Sequence, residues 1–156
     1  MIYFDRSEVN KLKETLNTLK VLAEESRLRI FMALNEHELC VCQIVVLLGL
    51  AASTTSKHLA LMYQAGIIDQ RKVGRWAYYQ VSKTWKKQHR LSEWLVDELA
   101  DSAKIAADRT RLEKILAMPL DEVCGFVTCP ETAVSSAASK NCLFKEFENG
   151  NKNSQG

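Results

Sequence analysis

"VCQIVVLLGLAASTTSKHLALMYQAGII", residues 41–68, contains two short helical segments joined by a turn. Val41 to Leu48 is almost wholly apolar, and Gly49 stops it, because glycine adopts the left-handed conformation that ends helices at little steric cost. The second segment opens on hydroxyl residues, with Ser53 a natural N-cap. Its apolar side runs through Leu59, Leu61, Met62 and Ile67, and Gly66 stands where a helix would end. A short helix, a tight turn and a second capped helix make a helix-turn-helix. Small hydroxyls and a cation at the start of the second helix suit a major-groove reader, since short side chains let a helix approach base edges. Ser53, Thr55, Ser56, Lys57 and His58 are therefore the candidate groove contacts. An ordinary capped first turn would carry the same residue types, and His58 serves equally well as a packing residue.

C-terminal to this pair, "IIDQRKVGRWAYYQV" alternates and is rich in β-formers, with Val73-Gly74 at its centre. It predicts a hairpin whose tip carries Arg71, Lys72 and Arg75. A basic hairpin directly after a helix-turn-helix is a wing, suited to lie along a phosphate backbone. Trp76, Tyr78 and Tyr79 brace such a wing rather than stack on bases, because duplex readers have little use for stacking platforms. Beyond it, Leu91, Trp94, Leu95, Leu99, Ile105, Leu112 and Ile115 predict one long helix over about 88–116. Toward the N-terminus, Val9, Leu12, Leu16, Leu19 and Leu22 predict an amphipathic helix over 7–23, and Ser26 a cap for the next. The expected fold is mainly α with a β-hairpin wing, a winged helix-turn-helix that is dimeric through its N- and C-terminal helices. Residues 1–117 form the DNA-binding and dimerisation domain. Residues 118–156, weakly periodic and ending in Ser, Asn and Gly, form a cysteine-containing tail expected to be partly disordered.

Charge suits a polyanionic partner, although a solvated surface with charges bunched by chance would look the same. Between Ala51 and Arg90 eight Lys or Arg face one acid, Asp69, so this segment carries +7 and the rest of the +2 chain carries −5. No apolar run approaches membrane-spanning length and no leader pattern opens the chain, so a cytoplasmic protein without a membrane partner is expected. Neither a phosphate-cradling glycine loop nor a catalytic triad is visible, and the cysteines form no C-x-x-C pair, so an enzyme is not expected.

The remaining feature is "ELCVCQI", residues 38–44, with Cys40 and Cys42 one residue apart in an apolar stretch. Four pieces in order, "LKVLAEESRLRIFMAL", "ELCVCQI", "STTSKHLALMYQAGII" and "RKVGRWAYY", resemble the ArsR/SmtB family of winged-helix, metal-responsive repressors. "ELCVC" resembles the metal-binding box of its arsenic- and antimony-responsive members, and also of its cadmium- and lead-responsive ones. The resemblance implies a homodimer on double-stranded operator DNA that is released when As(III) or Sb(III) binds cysteine thiolates. A Cd(II)-, Pb(II)- or Zn(II)-responsive repressor of the same family is the alternative, as is a thiol redox sensor.

The departures are informative. The family's arsenic box has a third cysteine where this chain has Val45, and an acid where it has Gln43; Ala52 replaces a polar residue common before the recognition helix. No cysteine precedes Cys40, and His89 is the only histidine near the last helix, so neither an N-terminal cysteine arm nor a histidine-based zinc site is expected. Two sulfurs leave As(III) one short of its usual three. One or both of Cys124 and Cys129 in "VCGFVTCP", with Cys142 further on, are the candidates to complete the site, from the same or the partner subunit. On a regular helix an i, i+2 pair diverges, each residue turning ~100°, so one ion reaches both Cys40 and Cys42 only if the helix start is distorted.

Overall fold

The computed structural model describes residues 6–125 and Val127. In chain order come α1 (Arg6–Leu22), α2 (Glu25–Glu36), β1 (Leu39–Cys40), α3 (Val41–Leu48), α4 (Ala52–Gln64), β2 (Ile68–Val73), β3 (Trp76–Val81), α5 (Lys83–Gln88), α6 (Leu91–Glu98), α7 (Ala103–Ala117) and α8 (Leu120–Gly125). The strands form one antiparallel sheet in the order β1-β3-β2. This is a winged helix-turn-helix.

The turn chemistry is local. Gly49 caps α3 at φ 69°, its N–H bonding Val45 O at 2.9 Å, and the chain then turns through 114° into α4. Gly66, at φ 70°, ends α4 in a Schellman arrangement: its N–H reaches Tyr63 O, and the Ile67 N–H reaches Met62 O. At the wing tip Val73 pairs with Trp76 across a two-residue loop. Gly74 alone takes positive φ there, which is the type II′ pattern that matches strand twist.

Three local expectations are corrected. The cap of α2 is Glu24, not Ser26: its carboxylate accepts from the Ser26 and Arg27 N–H groups, each at 3.0 Å. The α4 helix begins at Ala52, so Ser53 lies inside the first turn rather than capping it. The long helix over 88–116 is instead α5, α6 and α7, broken at His89–Arg90 and again at 99–102. Leu95 and Ile105, on either side of the second break, are both buried.

That core is centred on α2, where Ile30 and Phe31 are fully buried against Leu39, Ile44, Leu47, Leu59 and Met62. Trp85 of α5 meets the Phe31 ring edge-on, centroids 5.6 Å apart. The α7 helix is tied to α2 by a bidentate pair, Arg29 to Asp108, with both contacts at 2.7 Å. Packing carries past residue 117, because α8 buries Val123 completely against the same core.

Candidate metal centre and nucleic-acid interface

Strand β1 is only two residues long, yet it decides where Cys40 sits. Leu39 and Cys40 pair with Tyr79 and Tyr78 of β3, so Cys40 has extended backbone (φ −81°, ψ 162°) and forms the N-cap of α3. Cys42 lies in the first turn beyond it. The divergence expected of an i, i+2 pair on a helix is thereby removed, since one member is not helical. The Cys40 N–H donates to Gln43 Oε1 at 2.9 Å, so the residue at the family's acid position braces the strand-to-helix corner.

From the far end of the described residues, α8 brings Cys124 to the same place. The sulfurs of Cys40, Cys42 and Cys124 all lie within 4.8 Å of one another, with Cys40 and Cys124 buried and Cys42 partly exposed. Tetrahedral zinc with ~2.3 Å bonds would space sulfurs about 3.8 Å apart, so sulfurs within 4.8 Å of one another need close by at most about 1 Å to hold one thiophilic ion. Soft sulfur selects As(III), Cd(II), Pb(II) or Zn(II) over hard cations. Cys129 and Cys142 lie outside the described residues.

Burial pushes the Cys40 thiol up, and a neighbouring Cys42 thiolate would push it further; the N–H groups of Gln43 and Cys42 pull it partly back. Cys124 is pushed up strongly, first by burial and then by Cys42 and Cys40. Three thiols so close cannot all ionise alone, because each thiolate raises the cost of the next. A bound thiophilic ion removes that penalty, so Cys40 and Cys124 hold their protons until one arrives.

The candidate DNA residues divide. Ser53, Ser56 and Lys57 are exposed on one side of α4, and Thr54 and Ala60 extend that surface. Thr55 is corrected: it is 0% exposed and packs inward with Leu59 and Met62, so it cannot reach a groove. The spacing i, i+4, i+7 with those two residues was the available signal. His58 turns back toward α2. Its Nδ1 lies 3.3 Å from Arg27 Nη1 and 3.7 Å from a Glu24 carboxylate oxygen, a cluster the sequence did not suggest. On the wing, Lys72 is exposed. Arg71 instead pairs bidentately with Glu38, at 2.7 and 2.9 Å, and lies over the Tyr78 ring. Arg75 reaches Asp121 of α8 at 3.1 Å and stacks on Trp76. These carboxylates were missed because they are distant in sequence. The Arg71 contact holds the Glu38 carboxyl below its usual range. His89 packs on Trp85, ring centroids 5.0 Å apart.

Fold and surface together define a winged helix-turn-helix protein with a three-thiol cluster at the head of the motif's first helix. The chain belongs to the arsR family of bacterial regulatory proteins, whose family model matches residues 24–70. It is 31% identical over 96 residues to the cadmium resistance transcriptional regulatory protein CadC homolog of Staphylococcus aureus, a match spanning 55% of this chain and 79% of that protein. It is 40% identical over 68 residues to the arsenical resistance operon repressor of Escherichia coli (strain K12), spanning 43% of this chain and 58% of the repressor. The chain thus spans little more than half the length of the first curated relatives it matches. Among solved structures it is similar to the homodimeric winged helix-turn-helix domain of Mb0332 from Mycobacterium bovis, with TM-score 0.54 and 24% identity, covering 65% of this chain and 94% of that one. Among the described residues no single helix is long and apolar enough to cross a membrane.

Proposed function

We propose that the protein is a transcriptional repressor that holds operator DNA as a homodimer and lets go when a thiophilic ion is taken up by Cys40, Cys42 and Cys124. The observation that carries this reading is the convergence of three sulfurs on the N-cap of α3, the first helix of the reading head. When bound, As(III) or Sb(III) would supply three bonds to soft sulfur, the number this cluster can meet. The chain's own part is mechanical. Drawing the three sulfurs together moves the head of α3, which shares Leu47, Leu59 and Met62 with α4 in one core. Any tilt of α3 therefore reaches Ser53, Ser56 and Lys57, the proposed groove contacts, while Arg71, Lys72 and Arg75 follow the backbone. Release requires only that the ion bind the poorly reading arrangement more tightly than the reading one. Such a regulator acts in the cytoplasm, where thiols stay reduced.

Cd(II) is the second reading, favoured by the similarity to a cadmium regulator; Cys129 would then be available as a fourth thiolate. Titrating the full chain with arsenite or Cd(II), following sulfur-to-metal absorption and DNA release together, tests both. Cys40→Ser, Cys42→Ser and Cys124→Ser should each abolish triggered release. Undiminished release in Cys124→Ser would sink the three-thiol site, and release by oxidant but not by metal would make the cluster a redox switch.

A further inference from the structure

We infer that Glu38 and Asp121 are positioning residues that couple the thiol cluster to the wing, holding Arg71 and Arg75 away from DNA phosphates when the three sulfurs are drawn together. This rests on the proposed ion-triggered release and names the route by which that site reaches the phosphate contacts.

The placement is specific. Glu38 stands two residues before Cys40, and its two oxygens grip the Arg71 guanidinium bidentately. In the sheet, Cys40 is opposite Tyr78 and Tyr78 is opposite Arg71, so the thiol and the arginine lie in one cross-strand row. Asp121 stands one helical turn before Cys124 on α8, and it takes Arg75 at 3.1 Å. The segment that delivers each buried thiol to the cluster thus also delivers a carboxylate to the wing: Glu38 just before β1, and Asp121 on α8. Two of the three wing cations are neutralised in this arrangement, leaving Lys72.

Both pairs are solvent-exposed, so each is individually weak and a phosphate can displace the carboxylate. What decides the competition is how firmly the carboxylate is held in place. With α8 free to shift, Asp121 follows Arg75 or lets it go. With Cys124 tied to Cys40 and Cys42, α8 and β1 become one rigid unit and both carboxylates stay beside the wing.

Salt dependence of DNA binding reads this directly, since each phosphate contact contributes about 0.9 to the slope of log affinity against log salt. The experiment uses the full chain, a mixed-sequence DNA duplex and arsenite. In the unmodified protein arsenite should lower the slope by about one for each arginine withdrawn. In a Glu38→Gln, Asp121→Asn double variant arsenite should still titrate the thiols with unchanged stoichiometry but leave the slope unaltered. Without arsenite, that variant should bind the duplex more tightly and with a steeper slope than Glu122→Gln. This control removes an exposed acid from the same helix and releases no arginine. An arsenite-induced fall in slope that persists in the double variant overturns the inference, as does a variant indistinguishable from Glu122→Gln without arsenite. Failure of arsenite to bind would overturn the proposed function and with it the coupling, whereas the arsenite-free comparison separately decides whether Glu38 and Asp121 hold the arginines.

Discussion

At the scale of single residues, protons at Cys40 and Cys124 distinguish the possible inducers. Burial raises both thiols, so below the ordinary thiol range near pH ~8.5 they are protonated. Arsenite in water is As(OH)3, and each sulfur that bonds to it transfers its proton to a departing hydroxide, which leaves as water. No proton is released, so arsenite affinity should be flat between about pH 6 and 8. A Cd(II) ion brings no base, and the same thiols must give their protons to solvent. The protons displaced from Cys40 and Cys124 alone strengthen Cd(II) binding by roughly a hundredfold per pH unit over that range. Calorimetry in buffers of different ionisation enthalpy counts the protons. Arsenite affinity that climbs as steeply as that of Cd(II) would mean the thiol protons do not leave as water.

Among elements, what was legible in the sequence was whatever is specified locally. Gly49, Gly66 and Gly74 each mark a turn by their own conformational freedom, so α3, α4 and the wing could be placed. Strand β1 could not, because two residues become a strand only by finding β3 some forty residues later. The break between α6 and α7 carries neither Gly nor Pro, so no local residue type announces it. The cluster was half legible for the same reason: "ELCVC" announces two thiols, whereas the arrival of Cys124 depends on how α8 packs on α3. Most hidden was the pair that fastens α7 to α2. Arg29 and Asp108 are 79 residues apart, with side chains only 15% and 12% exposed, and the Asp108 contact raises the Arg29 pKa despite burial. Asp108→Ala strands a buried guanidinium and should cost about 3–5 kcal/mol in urea unfolding. An Arg29→Met, Asp108→Leu double variant should recover most of it. A loss under about 1 kcal/mol in Asp108→Ala would show that Arg29 finds water when its partner is gone.

For the molecule as a whole, the decisive surface is the one a single chain leaves uncovered. Val21 and Leu22 of α1 are buried, yet Leu12, Leu16 and Leu19 on the same helix remain 64%, 47% and 47% exposed. They repeat at i, i+4, i+7, a stripe of the width one helix offers another. Trp94 of α6 and Leu116 of α7 are large exposed apolar groups on the C-terminal helices. Two copies joined there would present two reading heads to half-sites one helical turn apart, ~34–36 Å on the duplex. Leu16→Glu places a charge in that stripe without touching the protomer core. Sedimentation should then report a monomer with unchanged far-UV circular dichroism, and affinity for a two-half-site operator should fall by two orders of magnitude or more. Metal stoichiometry per chain should not change, because Cys40, Cys42 and Cys124 come from one chain. A folded monomer that no longer binds arsenite would move a ligand across the subunit boundary. A variant that still sediments as a dimer would move the interface off α1.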